Sequence, residues 1–139
     1  MLPHKESALV SPVLTYMRRL GYRFQAEELG FYDYRIDIYA YSRSKNATVA
    51  IELKLHKWRR AVHQALIYQL CSDFVFIAMP VSAIRSIDQT LLEEHGIGLL
   101  AIDGLVRCRR ILEARRSSEL RLHYRDKFIE LMSKGPACR

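Results

Sequence analysis

Two stretches of alternating residues, separated by a short polar turn, constrain the fold of this chain most. The first stretch covers residues 34–41, the turn covers 42–46 and the second stretch covers 48–55. Because successive side chains of a strand point to opposite faces of a sheet, each stretch has one apolar face and one face that carries charge. The apolar faces consist of Ile36, Ile38 and Ala40 in the first stretch and of Val49, Ile51, Leu53 and Leu55 in the second. We therefore expect a β-hairpin.

Helical and strand patterns surround this hairpin in an order typical of an α/β fold. Apolar residues recur every three or four positions in 6–20, 57–70 and 83–95, and a last amphipathic helix is expected after Ser117 or Ser118. Strands are predicted at 22–28, 73–79 and 96–102, while 105–114 is ambiguous and compatible with an edge strand. Pro12 indicates either a new helix start capped by Ser11 or a kink. The order predicts one domain with a mixed sheet and helices on both faces.

The composition narrows the class of protein. The 139 residues suit one domain, and the net charge of +7 favours a polyanionic partner, either nucleic acid or an anionic membrane surface. No run of 18 apolar residues indicates a membrane span, and no apolar stretch follows the first charges as in a signal peptide. Cys71, Cys108 and Cys138 are widely spaced and predict no zinc site. We expect a cytoplasmic protein.

Three charged residues in the hairpin could carry chemistry. Glu52 and Lys54 are two apart and share a strand face, and Asp37 lies on the polar face of the preceding strand. If the hairpin register brings Asp37 opposite Glu52, two carboxylates and one ammonium converge. Two adjacent acids repel unless a proton or a cation lies between them, and Mg²⁺ prefers such oxygen ligands. The pattern predicts a metal site beside a lysine.

A plainer interpretation exists for the same residues. Glu-x-Lys alone is a weak signal, and Glu52 with Lys54 could form a charge pair on a solvated sheet face. Asp37 could then be a surface acid that pairs with Arg35 or Lys54. The order of an acid, a turn, Glu-x-Lys and a helix favours the site.

The segments Arg35-Ile36-Asp37 and Ile51-Glu52-Leu53-Lys54 resemble the core motif of the PD-(D/E)XK nuclease superfamily, which has a restriction-endonuclease-like α/β fold. The run Gln64-Ala65-Leu66-Ile67-Tyr68 resembles the Gln-x-x-x-Tyr element of its recombination-exonuclease branch, and Glu6 matches a frequent glutamate of the first helix. The resemblance spans about residues 6–102. It departs from the motif at Ile36, where the family name has proline. Small uncharacterised phosphodiesterase-like domains are the nearest match, and they supply no substrate.

The resemblance implies a Mg²⁺-dependent nuclease, with Mn²⁺ as a substitute, that acts on nucleic acid and most readily on DNA. Asp37, Glu52 and the carbonyl of Leu53 would hold the ion, and Glu6 would complete the site or assist a second ion. Lys54 would position the attacking water and stabilise developing charge. Gln64 would hydrogen-bond Lys54, the water or a phosphate, with Tyr68 in support one turn on. For both helix residues, a half-buried helix face is the plainer reading.

Further basic residues could contact nucleic acid. His56, Lys57, Arg59 and Arg60 follow the Glu-x-Lys strand, and together with Tyr68 they are the candidate nucleic-acid contacts. Trp58 could stack on a base, although a core position is the stronger expectation. Residues 107–127 carry eight Lys or Arg against three Asp or Glu, and a basic helical tail is expected from about 115. The whole stretch 107–127 is either a second nucleic-acid contact or a solvated basic helix face.

Two other classes of function compete with the nuclease. A catalytically silent nucleic-acid-binding module on the same fold would tend to lose one of the acids or the lysine, and none is lost here. A basic peripheral membrane or protein-interaction domain would give no reason for Asp37, Glu52 and Lys54. A homodimer would suit the cutting of two strands, but nothing in the sequence requires one.

Overall fold

The two alternating stretches form the expected hairpin within a six-stranded sheet. A computed structural model describes residues 5–104 and 106–134 of the chain. The strands are β1 (Phe24–Phe31), β2 (Tyr34–Ser42), β3 (Ala47–Leu53), β4 (Phe74–Pro80), β5 (Gly98–Asp103) and β6 (Arg107–Leu112). The helices are α1 (Val10–Arg19), α2 (Trp58–Tyr68), α3 (Gln89–His95) and α4 (Leu122–Lys134), with 3₁₀ helices at Glu6–Leu9 and Val81–Ser86.

The strands lie in the sheet in sequence order, and their directions make the sheet mixed. β1, β2 and β3 are antiparallel neighbours, β3, β4 and β5 are parallel, and β6 is antiparallel to β5. Parallel neighbours need crossover connections, which α2 and α3 provide. The carboxyl ends of β3, β4 and β5 therefore meet at one end of the sheet, and Lys54 follows β3 there.

Helices cover both faces of the sheet, which confirms the predicted α/β architecture. On one face Leu9 of the first 3₁₀ helix and Val13 and Met17 of α1 pack against the apolar side of the hairpin. On the other face α2, α3 and α4 bury their own apolar residues, among them Trp58, Leu92 and Phe128. Within the described residues no helix is long and apolar enough to cross a membrane.

The first helix accommodates Pro12 in neither of the two predicted ways. α1 begins at Val10 directly after a 3₁₀ turn, so Pro12 is its third residue, and no side chain caps this start. The first N–H groups of an α-helix have no intrahelical partner, so proline sacrifices no hydrogen bond at this position. Ser11 is exposed and does not cap the helix.

Three predicted elements need correction. β1 starts at Phe24 rather than at residue 22 and extends to Phe31. The helix predicted at 83–95 is a 3₁₀ turn followed by α3, because Ile87 is extended and the Asp88 carboxylate caps a new start by accepting the Leu91 N–H at 3.2 Å. Ile36 packs with the core of the opposite face from Ile38. The alternation fails there because Asp37 is paired in neither flanking ladder.

The ambiguous segment after β5 is an edge strand, and the segment beyond it is not helical. β6 pairs with β5 and ends at Leu112, while Leu105 lies outside the described residues. Between β6 and α4 the chain is irregular, so neither Ser117 nor Ser118 caps a helix. The backbone N–H groups of Arg115, Ser117 and Arg121 instead donate to carbonyls of Gly96, Asp73 and Leu70. The basic tail expected from about 115 is therefore helical only from Leu122.

Candidate active site

The hairpin register brings Asp37 and Glu52 together, as the sequence predicts. The last ladder pair between β2 and β3 is Ile38 with Ile51, so one more step along both strands leads to Asp37 and Glu52. Instead of a backbone bond at this step, the Asp37 carboxylate Oδ2 accepts the N–H of Leu53 at 2.8 Å. This bond fixes the carboxylate of Asp37 against the end of β3, beside Glu52.

Burial makes Glu52 an unusual carboxyl group. Its side chain is only 3% exposed because α2 covers this face of the sheet. That burial, followed by the negative charge of Asp37, raises the pKa of Glu52 to about 8, although the Lys54 ammonium acts in the opposite direction. A solvated charge pair on an open sheet face, the plainer interpretation of the sequence, is therefore wrong for Glu52.

Asp37 and Glu52 act on each other's pKa through a hydrogen bond between their carboxyl groups. Burial also raises the pKa of Asp37, while the hydrogen bonds from the Leu53 N–H and from Glu52 lower it. The bond between the two carboxyls lowers the pKa of Asp37 and raises the pKa of Glu52, so Glu52 is the acid of the pair that binds a proton more readily. Two acids arranged in this way accept a proton or a cation between them.

Lys54 lies at the rim of the pair and not within the core. Its ammonium Nζ is 3.7 Å from Glu52 Oε2, and its side chain is 17% exposed. Its backbone N–H donates to the carbonyl of Ala78, which continues the pairing with β4 past the end of β3. This bond holds the backbone of Lys54 at the end of the sheet where the carboxyl ends of the parallel strands meet.

Tyr68 contacts Glu52 from α2, on the face of the sheet that this helix covers. The side chain is fully buried, and its hydroxyl lies 3.0 Å from the carbonyl oxygen of Arg35 and 3.4 Å from Glu52 Oε1. The hydroxyl therefore lies between β2, which carries Arg35, and β3, which carries Glu52. The grouping of Tyr68 with the nucleic-acid contacts is wrong, because no part of the side chain reaches the surface. The i, i+4 spacing from Gln64 indicated its helix face, but not this partner.

Gln64 lies one turn before Tyr68 on α2 and has an unmet hydrogen-bonding atom. Its Oε1 is buried and has no hydrogen-bond partner among the described residues. A buried amide oxygen without a partner is unfavourable, and such atoms in native proteins usually need an explanation. The structure shows no bond from this oxygen to Lys54, so the predicted contact stays a prediction.

The predicted metal ligands divide into two groups. Asp37 and Glu52 converge, and the backbone of Leu53 is adjacent because its N–H binds Asp37. Glu6 is exposed in the first 3₁₀ helix, and its charge acts on Asp37 without joining the pair. Over residues 5–104 and 106–134, no group of three or more His, Cys, Asp or Glu side chains is placed to hold a metal.

This donor set fits Mg²⁺ in its chemistry. Mg²⁺ commonly binds through one or two carboxylates and completes its shell with water and substrate phosphate oxygens. Asp37 and Glu52 supply two hard oxygen groups, and burial is the first cause that raises the pKa of each. The fit is to a two-carboxylate site rather than to a closed structural one.

The basic residues after β3 lie at the surface beside this site. His56, Lys57, Arg59 and Arg60 are all exposed. Lys57 adopts a left-handed conformation with φ of 61°, which turns the chain from the end of β3 into α2. Trp58 is 8% exposed and belongs to the core, and the Arg59 guanidinium lies 4.5 Å from its ring centroid. This confirms the core position expected for Trp58.

Comparison with known proteins gives the fold but no activity. No protein-family model matches the chain, and no curated protein matches it. A solved protein of unknown function from Silicibacter pomeroyi superposes with a TM-score of 0.73 over 96% of this chain and 86% of that chain, at 20% identity. At this identity the likeness shows a shared fold alone: an α/β domain built on a six-stranded mixed sheet.

Proposed function

We propose that this protein is a metal-dependent nuclease of the PD-(D/E)XK type that hydrolyses phosphodiester bonds, with DNA as the first candidate substrate. The observation that carries the proposal is the meeting of Asp37, Glu52 and Lys54 at the carboxyl ends of β3 and its neighbours. The carboxyl ends of the strands are where open α/β sheets commonly bind ligands. A buried carboxyl pair of raised pKa beside an ammonium is unfavourable for stability, which supports a functional role.

Each residue of the site has a distinct task in this proposal. Asp37 and Glu52 would hold Mg²⁺, or Mn²⁺ in its place, and the ion would supply a Lewis acid that neutralises charge on the phosphate. Lys54 places its ammonium 3.7 Å from Glu52, where it would orient the attacking water and stabilise negative charge that develops on the phosphate. Tyr68 holds Glu52 and β2 in place, and its burial restricts it to that supporting role.

The surface beside the site suits a phosphate backbone. His56, Lys57, Arg59 and Arg60 are exposed directly after the strand that carries Glu52 and Lys54. Cations at such positions contact phosphates that flank the bond to be cut, and they position the strand without reading its sequence. The net charge of +7 agrees with a polyanionic substrate.

A catalytically silent nucleic-acid-binding module is the second candidate. Glu52 is almost wholly buried, and Asp37 already uses one oxygen on the Leu53 N–H. No third acidic side chain joins them within the described residues. A site that served only to fix the hairpin would show the same bonds, so the two functions have to be separated by activity.

The test is Mg²⁺-dependent cleavage of labelled single-stranded, duplex and branched DNA and of RNA, with binding measured in parallel. Asp37→Asn keeps an acceptor for the Leu53 N–H, and Lys54→Met keeps most of the side-chain volume, so both should fold. Glu27→Gln, which removes an exposed acid from β1, and Lys45→Met are matched controls. We expect both site variants to lose at least about 100-fold in cleavage rate while they retain binding.

Binding of nucleic acid without cleavage would support the silent module. If the wild-type protein binds nucleic acid tightly but cuts none of these substrates with Mg²⁺ or Mn²⁺, the nuclease proposal is wrong. Equal cleavage by the site variants and the controls would place the chemistry elsewhere or in a contaminant.

A further inference from the structure

A groove between α1 and β6 is lined by arginines whose side chains have no partner among the described residues. Its volume is about 720 Å³, and its lining includes Thr15, Tyr16 and Arg19 from α1 and Asp103, Arg107 and Arg109 from the end of β5 and from β6. All three arginines and Asp103 are exposed. The groove therefore presents three positive charges and one negative charge to solvent.

The arginines near β6 fall into two groups by their partners. Arg110 donates to Tyr16 and Glu113, while Arg116 and Arg125 pair with Asp73. By contrast, the side chains of Arg19, Arg107 and Arg109 form no hydrogen bond or ion pair within the part of the chain that the structure describes. Like charges gathered in one groove repel each other, so they favour an anionic ligand that lies between them.

The groove opens at the same end of the sheet as the candidate active site. Asp103 ends β5, whose carboxyl end lies beside those of β4 and β3, and Arg107 is its ladder partner. With strands about 4.8 Å apart, β5 lies roughly 10 Å and β6 roughly 14 Å from β3. The 3₁₀ helix in front of α1 packs against β3 and β4, and the charge of Glu6 acts on Asp37. The groove thus begins near the site and follows α1 away from it.

We propose that this groove binds the sugar–phosphate backbone of a nucleic-acid strand beyond the bond placed at Lys54. The inference rests on the proposed nuclease function and extends it by naming a second contact surface. Within the basic stretch 107–127, Arg107 and Arg109 line this groove, whereas Arg116 and Arg125 are engaged by Asp73.

Asp103 allows a test in which the loss of a negative charge should raise the affinity for nucleic acid and the loss of a positive charge should lower it. Its carboxylate lies at the groove among the arginines, so it repels a phosphate while they attract it. Removing this charge by Asp103→Asn should tighten binding, whereas removing an arginine should weaken it. A contact made by another basic surface would be indifferent to either change.

The experiment measures binding of a fluorescein-labelled 24-nucleotide single strand, a 24-base-pair duplex and vesicles with anionic headgroups, in EDTA and over a series of NaCl concentrations. EDTA prevents metal-dependent cleavage, so binding is read independently of activity. The groove variant is Arg19→Gln/Arg107→Gln/Arg109→Gln. The matched control is Arg23→Gln/Arg43→Gln/Lys127→Gln, which removes three exposed charges from other surfaces. Thermal unfolding of each variant verifies that it folds.

We expect the groove variant to lose at least about 10-fold in affinity for the single strand at 100 mM NaCl. The slope of log affinity against log salt should fall by roughly 2, since each lost phosphate contact contributes about 0.7. The control should stay within about 3-fold of the wild type, and Asp103→Asn should bind about 2-fold more tightly.

The outcomes separate this proposal from the nuclease proposal. Equal losses in the groove and control variants, or a groove that binds anionic vesicles but no nucleic acid, would overturn the groove assignment. A protein that cuts DNA while its groove variant binds and cuts as the wild type does would overturn the groove alone. Groove-dependent binding by a protein that never cuts would uphold the groove and reject the nuclease.

Discussion

At the scale of single residues, Glu52 is the side chain whose environment conflicts most with its chemistry. It is an acid with 3% exposure, and burial together with Asp37 raises its pKa to about 8 from an ordinary value near 4.5. Between these two pH values the folded protein holds a proton on Glu52 that the unfolded chain releases. The contribution of Glu52 to the free energy of unfolding therefore falls as the pH rises from about 4.5 to 8, and it does not change further above pH 8.

Replacing Glu52 by glutamine should remove this pH dependence. The amide keeps the volume and can still donate to Asp37, but it has no charge to bury. In EDTA at pH 8 we expect Glu52→Gln to be more stable than the wild type by about 1–3 kcal/mol, with the difference vanishing near pH 4. Urea unfolding at several pH values measures this, with Glu27→Gln as the exposed control. A less stable Glu52→Gln at pH 8 would mean that the pair with Lys54 stabilises the fold.

The convergence of Asp37 and Glu52 could be predicted from the sequence because it follows from strand periodicity and one turn. The supporting contacts could not be predicted in this way. Tyr68 meets Glu52 only because α2 folds back across the sheet, and its distance from Glu52 in sequence carries no signal of that. The same holds for Ile36, since the local break in alternation at Asp37 depends on the bond to Leu53.

At the scale of elements, β5 is packed too closely to admit a side chain at its first residue. A Cβ on Gly98 would lie 2.4 Å from the Phe76 ring and 2.9 Å from the backbone nitrogen of Ala114. The Phe76 ring is 8% exposed, and the Ala114 contact is to backbone and not to a side chain. A methyl group at residue 98 would therefore fit only if β4 or the segment after β6 moved. The early glycine of this strand is thus a packing requirement.

Gly98→Ala should therefore destabilise the protein by about 2–4 kcal/mol, as expected for overpacking in a rigid core. Gly30→Ala is the matched control, because nothing lies within 4 Å of a Cβ there and the residue lies in β1. Alanine reduces the entropy of the unfolded chain, so the control should be neutral or slightly more stable. Chemical denaturation of both variants measures the difference. Equal stabilities would show that β5 can shift without cost.

Elements with a regular period were predictable, and those set by tertiary bonds were not. The hairpin, β4, β5 and the core face of α2 follow from alternation or apolar runs. The segment between β6 and α4 contains Ser117 and Ser118, which resemble helix caps in sequence. Its backbone N–H groups bond to residues 70, 73 and 96 instead, and these tertiary partners delay the helix to Leu122.

At the scale of the whole molecule, one buried carboxylate ties together parts of the chain that are far apart in sequence. Asp73 is 3% exposed and accepts the Thr48 N–H and hydroxyl at 2.8 and 3.0 Å and the Arg125 Nε at 2.8 Å. Arg125 also donates to the carbonyl and side-chain oxygens of Asn46. The start of β4, the β2–β3 turn and α4 are thus joined at the end of the sheet opposite Lys54.

Breaking this junction should loosen α4 without altering the candidate site. Arg125→Met leaves the Asp73 carboxylate buried without its closest cation, and we expect a loss of about 3–5 kcal/mol in the free energy of unfolding. Arg116→Gln removes a cation from the same carboxylate, but its side chain is 60% exposed, so the loss should stay below about 1 kcal/mol.

Urea unfolding measures both, and amide hydrogen exchange should show α4 opening more readily in Arg125→Met. Comparable losses in the two variants would mean that burial does not govern this junction. Loss of protection confined to the strands would place the coupling in the sheet and not in α4.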